Sequence, residues 1–145
     1  MVQCSINHRF SFYHYDGRGG MVKFKVICPY CNREAVFMST KEFYGKDYGT
    51  NVYSCSPCDA YVGTHGKGRT PLGILANKKT REYRKRAHSL FDPLWKGKYR
   101  KMNRSKAYRL MQDLMDLPAE KAHIGMFNVD QCKEFIEKIK VYRGV

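Results

Sequence analysis

Two thiol clamps constrain this chain more than any other feature: Cys28-Pro29-Tyr30-Cys31 and Cys55-Ser56-Pro57-Cys58, with 23 residues (32–54) between them. Cysteines three positions apart on a tight turn face one point. Four thiolates from two such turns complete the tetrahedral sulfur shell of a closed structural zinc site. The spacing therefore predicts one structural Zn2+ held by Cys28, Cys31, Cys55 and Cys58. Between the clamps, residues 34–39 and 51–54 read as two short strands joined by a loop of Lys, Tyr, Gly and Asp. The result is a zinc ribbon over residues 28–64, in which the metal replaces a core that so short a segment cannot build.

Upstream, residues 2–14 alternate with period 2: Val2, Cys4, Ile6, His8, Phe10, Phe12 and His14 on one side, polar residues for the most part on the other. Residues 16–20 are rich in Gly, and residues 21–27 alternate again, so residues 1–27 read as an N-terminal β-hairpin leading into Cys28. Downstream, residues 65–145 read as a basic helical region. Gly63, Gly66, Gly68 and Pro71 mark a linker or an ordered turn. Asn77 then caps a helix over 78–91, with Tyr83, Ala87 and Leu90 on one face and Lys78, Arg81 and Lys85 on another. Asp92 followed by Pro93 predicts a break and a new short turn carrying Leu94 and Trp95, with Trp95 anchoring the core. Ser105 is expected to cap a helix carrying Ala107, Leu110, Met111, Leu114 and Leu117, and Asn128 with Gln131 forms a capping-box pair for a last helix. The fold class is α+β: a zinc ribbon with an N-terminal hairpin, packed on three or four helices.

Charge narrows the partner. The chain carries 27 Lys+Arg against 13 Asp+Glu, a net +14, which draws polyanions. The surplus is concentrated in residues 71–104, with 11 basic and 2 acidic residues. Lys78, Lys79, Arg81, Arg84, Lys85, Arg86, Lys96, Lys98, Arg100, Lys101 and Arg104 form a basic helix and connector suited to phosphates. Six phosphate contacts would give a log–log salt slope of roughly −5. The competing reading is a solvated helix face that only confers solubility. No apolar run approaches the roughly 20 residues needed to span a bilayer, and residues 1–12 lack the continuous apolar core of a secretory signal. A reducing cytoplasm, no membrane partner and metal-bound rather than disulfide-bonded cysteines are the expectations.

Other constellations compete less well. Tyr30, Tyr44, Tyr48, Tyr53 and Tyr61 either stack unpaired bases or pack the two faces of the ribbon. His65, Asn77 and His88 follow the order of an HNH nuclease, but Thr64 stands where an acidic neighbour of the base histidine is usual. Cys4, Cys132, His8, His14 and His123 lie at no ligand spacing, and Cys4 and Cys132 read as small buried hydrophobes.

Several tracts together resemble a family of uncharacterised zinc-finger proteins carried by bacteriophages, prophages and bacteria. They are the two cysteine clamps, residues 71–77 (Pro71, Leu72, Gly73, Ile74, Leu75, Ala76, Asn77), then Arg84, His88, Phe91, Asp92, Pro93, Leu94 and Trp95, and finally His123, Ile124, Gly125, Met126, Phe127, Gln131 and Cys132. The resemblance covers about residues 28–140, leaving the hairpin as an addition. It implies a small cytoplasmic zinc protein, in the host cytoplasm if phage-encoded, and brings no activity or catalytic residues. Non-catalytic nucleic-acid binding through the basic segment is the expected function, with no catalytic residue. The alternative is a phage-encoded inhibitor or adaptor gripping a host or defence protein; an HNH-like nuclease stands behind both.

Overall fold

The computed structural model describes residues 13–15, 21–23 and 25–145. Strand β1 (Tyr13–Tyr15) pairs antiparallel with β2 (Met21–Lys23), Tyr13 opposite Lys23 and Tyr15 opposite Met21. This is the described part of the expected hairpin. The rest of its first strand, with Cys4 and His8, and its turn at 16–20 lie outside the described residues. The chain divides into two compact units, Met1–Asn77 and Lys78–Val145.

In the first unit, β3 (Val36–Ser39), β4 (Asn51–Cys55) and β5 (Ala60–Gly63) form an antiparallel sheet in the order β3-β4-β5. Val36 lies opposite Ser54, and Cys55 opposite Ala60. The sequence reading anticipates β3 and β4 but not β5. Four residues holding only Ala60 and Val62 as inward apolar positions give too short an alternation to stand out. Nor is the link between β3 and β4 wholly loop. Ser39 accepts from the Glu42 N–H while the Glu42 carboxylate reaches back to Ser39, a capping box that starts the short helix α1 (Thr40–Tyr44). Gly45, at φ 81°, closes it in the left-handed conformation.

The tract after Gly63 is an ordered turn. Tyr61 and Ala76 exchange backbone hydrogen bonds of 3.1 and 3.0 Å, Leu72 donates to the Gly63 carbonyl, and Thr64 bridges Pro71. Residues 71–76 thereby cover the edge of β5. They also place Leu75 in a small core with Cys28, Ala35, Tyr53, Cys55, Ala60 and Val62.

The second unit holds α2 (Lys78–Trp95), α3 (Arg104–Met115) and α4 (Val129–Arg143), with a 3-10 turn at Ile124–Met126. Its core unites Ala87, Phe91 and Leu94 of α2, Ala107, Met111 and Met115 of α3, Cys132, Phe135, Ile136 and Ile139 of α4, and Ala122, Ile124 and Phe127 between them. Trp95 is half-buried and packs against this core as expected.

Two expectations need correction here. Helix α2 does not break at Asp92 but runs through Pro93 to Trp95. An interior proline costs about 3 kcal/mol, whereas burying Phe91 and Leu94, both within the core, returns about 1.5–3 kcal/mol each. Helix α3 is capped by Asn103, whose side chain accepts from the Lys106 N–H at 2.9 Å, rather than by Ser105. The capping box of Asn128 and Gln131 opens α4 as the sequence predicts.

Candidate metal centre and basic face

Each cysteine clamp sits on a turn whose backbone is fixed locally. In the first, the Cys28 N–H donates to the Arg33 carbonyl and the Asn32 N–H to the Cys28 carbonyl, with Asn32 at φ 63°. Asparagine tolerates that left-handed conformation. In the second, Cys55 ends β4, Pro57 sits at the start of the 3-10 turn Ser56–Cys58, and Asp59, at φ 51°, closes it with a bond from its N–H to Ser56. These turns bring the sulfurs of Cys28, Cys31, Cys55 and Cys58 within 4.8 Å of one another. The Cys31 and Cys55 sulfurs are 3.6 Å apart. A tetrahedral shell with Zn–S bonds of about 2.3 Å needs sulfur separations of about 3.8 Å. The donor set fits zinc in number, chemistry and spacing.

The four thiols are unequal. Cys31 is lowered to about 7, chiefly by a hydrogen bond from the Arg33 backbone N–H. Cys58 is pushed up to about 12, first by its hydrogen bond to Cys31 and then by burial, and burial raises Cys28. Zinc bound here would be held by all four as thiolates, so its binding would release protons and depend on pH. Cys28, Cys31, Cys55, Cys58 and Cys132 form no disulfide. The four clamp cysteines hold one structural zinc, with no position left for substrate in a four-sulfur shell.

Among the described residues, no other group of three or more His, Cys, Asp or Glu side chains lies close enough to share an ion. His65 and Asn77 belong to the first unit and His88 to the second. The His65 N–H donates to Thr70, the Asn77 N–H donates to the Tyr30 hydroxyl, and His88 Nδ1 lies 3.2 Å from Asp92 one helical turn on. His123 packs against Tyr108 with the two rings tilted, and its pKa is lowered by burial and by the Arg104 charge. Cys132 is fully buried, and burial pushes its thiol up to about 11.

The ribbon tyrosines divide. Tyr53 is buried, tilts against Phe37 and donates its hydroxyl to the Arg69 carbonyl, while the Arg69 guanidinium covers Phe37 at 4.1 Å. Tyr44, Tyr48 and Tyr61 form a ring series with Phe43 over the other sheet face, edge-to-face except for the tilted Phe43–Tyr61 pair. There Tyr44 and Tyr48 line a cleft of about 310 Å³ with Thr40, Thr50 and Val52.

The basic residues divide as well. Lys78, Lys79, Lys85, Arg86, Lys96, Lys98, Arg100, Lys101 and Arg104 are exposed. Among the described residues, Lys85, Lys98, Arg100 and Lys101 have no carboxylate within 4.0 Å, whereas Lys96 pairs with Asp92 at 3.3 Å. Arg81 is half-buried. Arg84 is half-buried and has a structural contact as well: its Nε donates to the carbonyl of fully buried Phe127 at 3.0 Å. Arg104 lies over the rings of Tyr108 and Trp95 at 4.4 and 5.6 Å.

The connector is an ordered turn. Arg100 donates to the Gly97 carbonyl, and the N–H groups of Lys101 and Met102 both donate to Leu94, closing the C-terminal end of α2. Cations gathered there are favoured by the helix dipole. Sequence reasoning did not find this turn, although Gly97, at φ 88°, was its one available signal.

The family model described as a zinc-finger-containing domain matches residues 24–142. No curated protein and no solved structure matches the chain. No helix among the described residues is long and apolar enough to cross a membrane.

Proposed function

The chain belongs to this family of zinc-finger-containing domains, and from that premise we propose that it binds nucleic acid without catalysis, through the exposed basic face of residues 78–104. The observation that carries the reading is the connector, where Lys98, Arg100 and Lys101 are exposed and lack carboxylate partners among the described residues. A solvated face needs only scattered charge of both signs. Here cations are held close together on an ordered turn, which suits a row of phosphates. Zinc holds the ribbon, and the docking surface lies on α2 and the turn that follows.

The test is titration of the protein with a DNA or RNA strand over a range of salt concentrations. Affinity should fall linearly with salt on a log–log plot. Replacing Lys98, Arg100 and Lys101 together by Gln should flatten that slope by about 2–3, three phosphate contacts at about 0.7–0.9 each. An unchanged slope would refute the assignment. One protein retained from a lysate after nuclease digestion and high salt would overturn it in favour of an inhibitor or adaptor, in which the same cations meet an acidic protein surface.

A further inference from the structure

The turn that carries these cations also carries an aromatic ring in an unusual position. The hydrogen bond from the Arg100 N–H to the Gly97 carbonyl makes Lys98 and Tyr99 the two corner residues of a β-turn. Tyr99 is 83% exposed. Tyr44, Tyr48, Tyr53 and Tyr61 lie against other rings, whereas among the described residues Tyr99 has no ring partner and the Lys98 ammonium lies 5.6 Å from its centroid. Behind the corner the backbone is pinned, because Lys101 and Met102 donate to Leu94 at 2.8 and 3.1 Å and Met102 packs against the helical core. A large ring on a fixed turn, flanked by Lys98 and Arg100, holds apolar surface in water that the fold does not use.

We infer that this turn is a stacking post for an unpaired base, so that the favoured ligand is single-stranded nucleic acid. The inference rests on the nucleic-acid reading and adds strandedness to it. In a strand, a base can leave its neighbours and lie on the Tyr99 face while Lys98, Arg100 and Lys101 meet the phosphates on either side. In a duplex the bases are stacked on one another, and the same cations meet only the backbone. Asp92, at the end of α2, pairs with Lys96 at 3.3 Å.

The experiment compares three probes of equal length, an oligothymidylate strand, the same strand with its bases removed, and a duplex, against the unmodified protein, Tyr99→Ala and Tyr99→Phe. Tyr99→Ala should bind the oligothymidylate roughly 5- to 150-fold more weakly, the range for one base–aromatic stack. Its affinity for the abasic strand and the duplex, and its salt slope, should not change. Tyr99→Phe, which keeps the ring, should behave as the unmodified protein. Equal loss on the abasic strand, or no loss on any probe, would overturn the stacking post while leaving the basic face standing. Failure of the unmodified protein to bind any of the three would remove the basic face, and the stacking post with it.

Discussion

Cys55→Ser tests the metal centre and the division of the chain together. Cys55 is 4% exposed, ends β4 opposite Ala60 of β5, and places its sulfur 3.6 Å from that of Cys31. A serine hydroxyl stays protonated where the thiolate closed the shell. Structural zinc contributes roughly 10–16 kcal/mol to the folding of a small finger, and whole domains are stable by only about 5–15 kcal/mol. Losing a third of the metal's share, about 3–5 kcal/mol, is comparable to the whole stability of a domain at the lower end of that range. The core beneath the sheet cannot compensate, since two of its seven buried members, Cys28 and Cys55, are ligands themselves. The helical core contains no ligand, so the second unit should keep its structure. Zinc per chain by native mass spectrometry, with amide spectra of both units, reads the outcome: less than one zinc, collapsed ribbon signals and persistent helical ones. Full zinc occupancy with a dispersed ribbon spectrum would refute the ligand assignment. Loss of the helical signals as well would refute the independence of the second unit.

Arg84→Met leaves the Phe127 carbonyl without its donor and should cost about 1–3 kcal/mol in urea denaturation, whereas Lys85→Gln, at an exposed position, should weaken nucleic-acid binding with stability unchanged. Asn128→Ala removes one side of the capping box of α4 and should cost about 1 kcal/mol, read as a shift in the denaturation midpoint. The pKa of His123 lies below its unfolded value of about 6.5 because burial and Arg104 disfavour the charged ring. The unfolded chain therefore takes up more protons as pH falls through that value, and stability declines until the folded pKa is passed. His123→Gln should flatten this acid limb in midpoints measured on both sides of about pH 6.5.

The ribbon was legible because its ligands are chemically unmistakable, while the elements that complete it were not. β5 lies in four residues whose inward positions hold only Ala60 and Val62, and α1 in five residues with a single buried member, Thr40. Such segments are stabilised by what they pack against, which a local pattern does not contain. Pro93 misled for a related reason. Its preference for a first helical turn is a local rule, and the demand to bury Phe91 and Leu94 on one continuous face is a tertiary one. Asn103 and Ser105 are both good caps, so the start of α3 is decided by which of them the packed helix leaves at its end.

The tracts that carry the family resemblance turn out to be largely architecture. Leu75 seals the ribbon, Phe91, Leu94, Ile124 and Phe127 fill the helical core, and Gln131 caps α4 ahead of buried Cys132. Arg84, a member of the same set, straps α2 to the Phe127 carbonyl. These residues explain why the chain folds as it does and leave its partner unspecified. The residues from which a partner can be argued are different: Lys98, Tyr99, Arg100 and Lys101 are exposed, contribute nothing to either core and sit where two bonds to the Leu94 carbonyl hold them. Charge density pointed to this segment from the sequence. Only the fold shows that Arg84 belongs to the scaffold while Tyr99 stands clear of it, because burial and exposure on a basic helix and its turn depend on what packs beneath them.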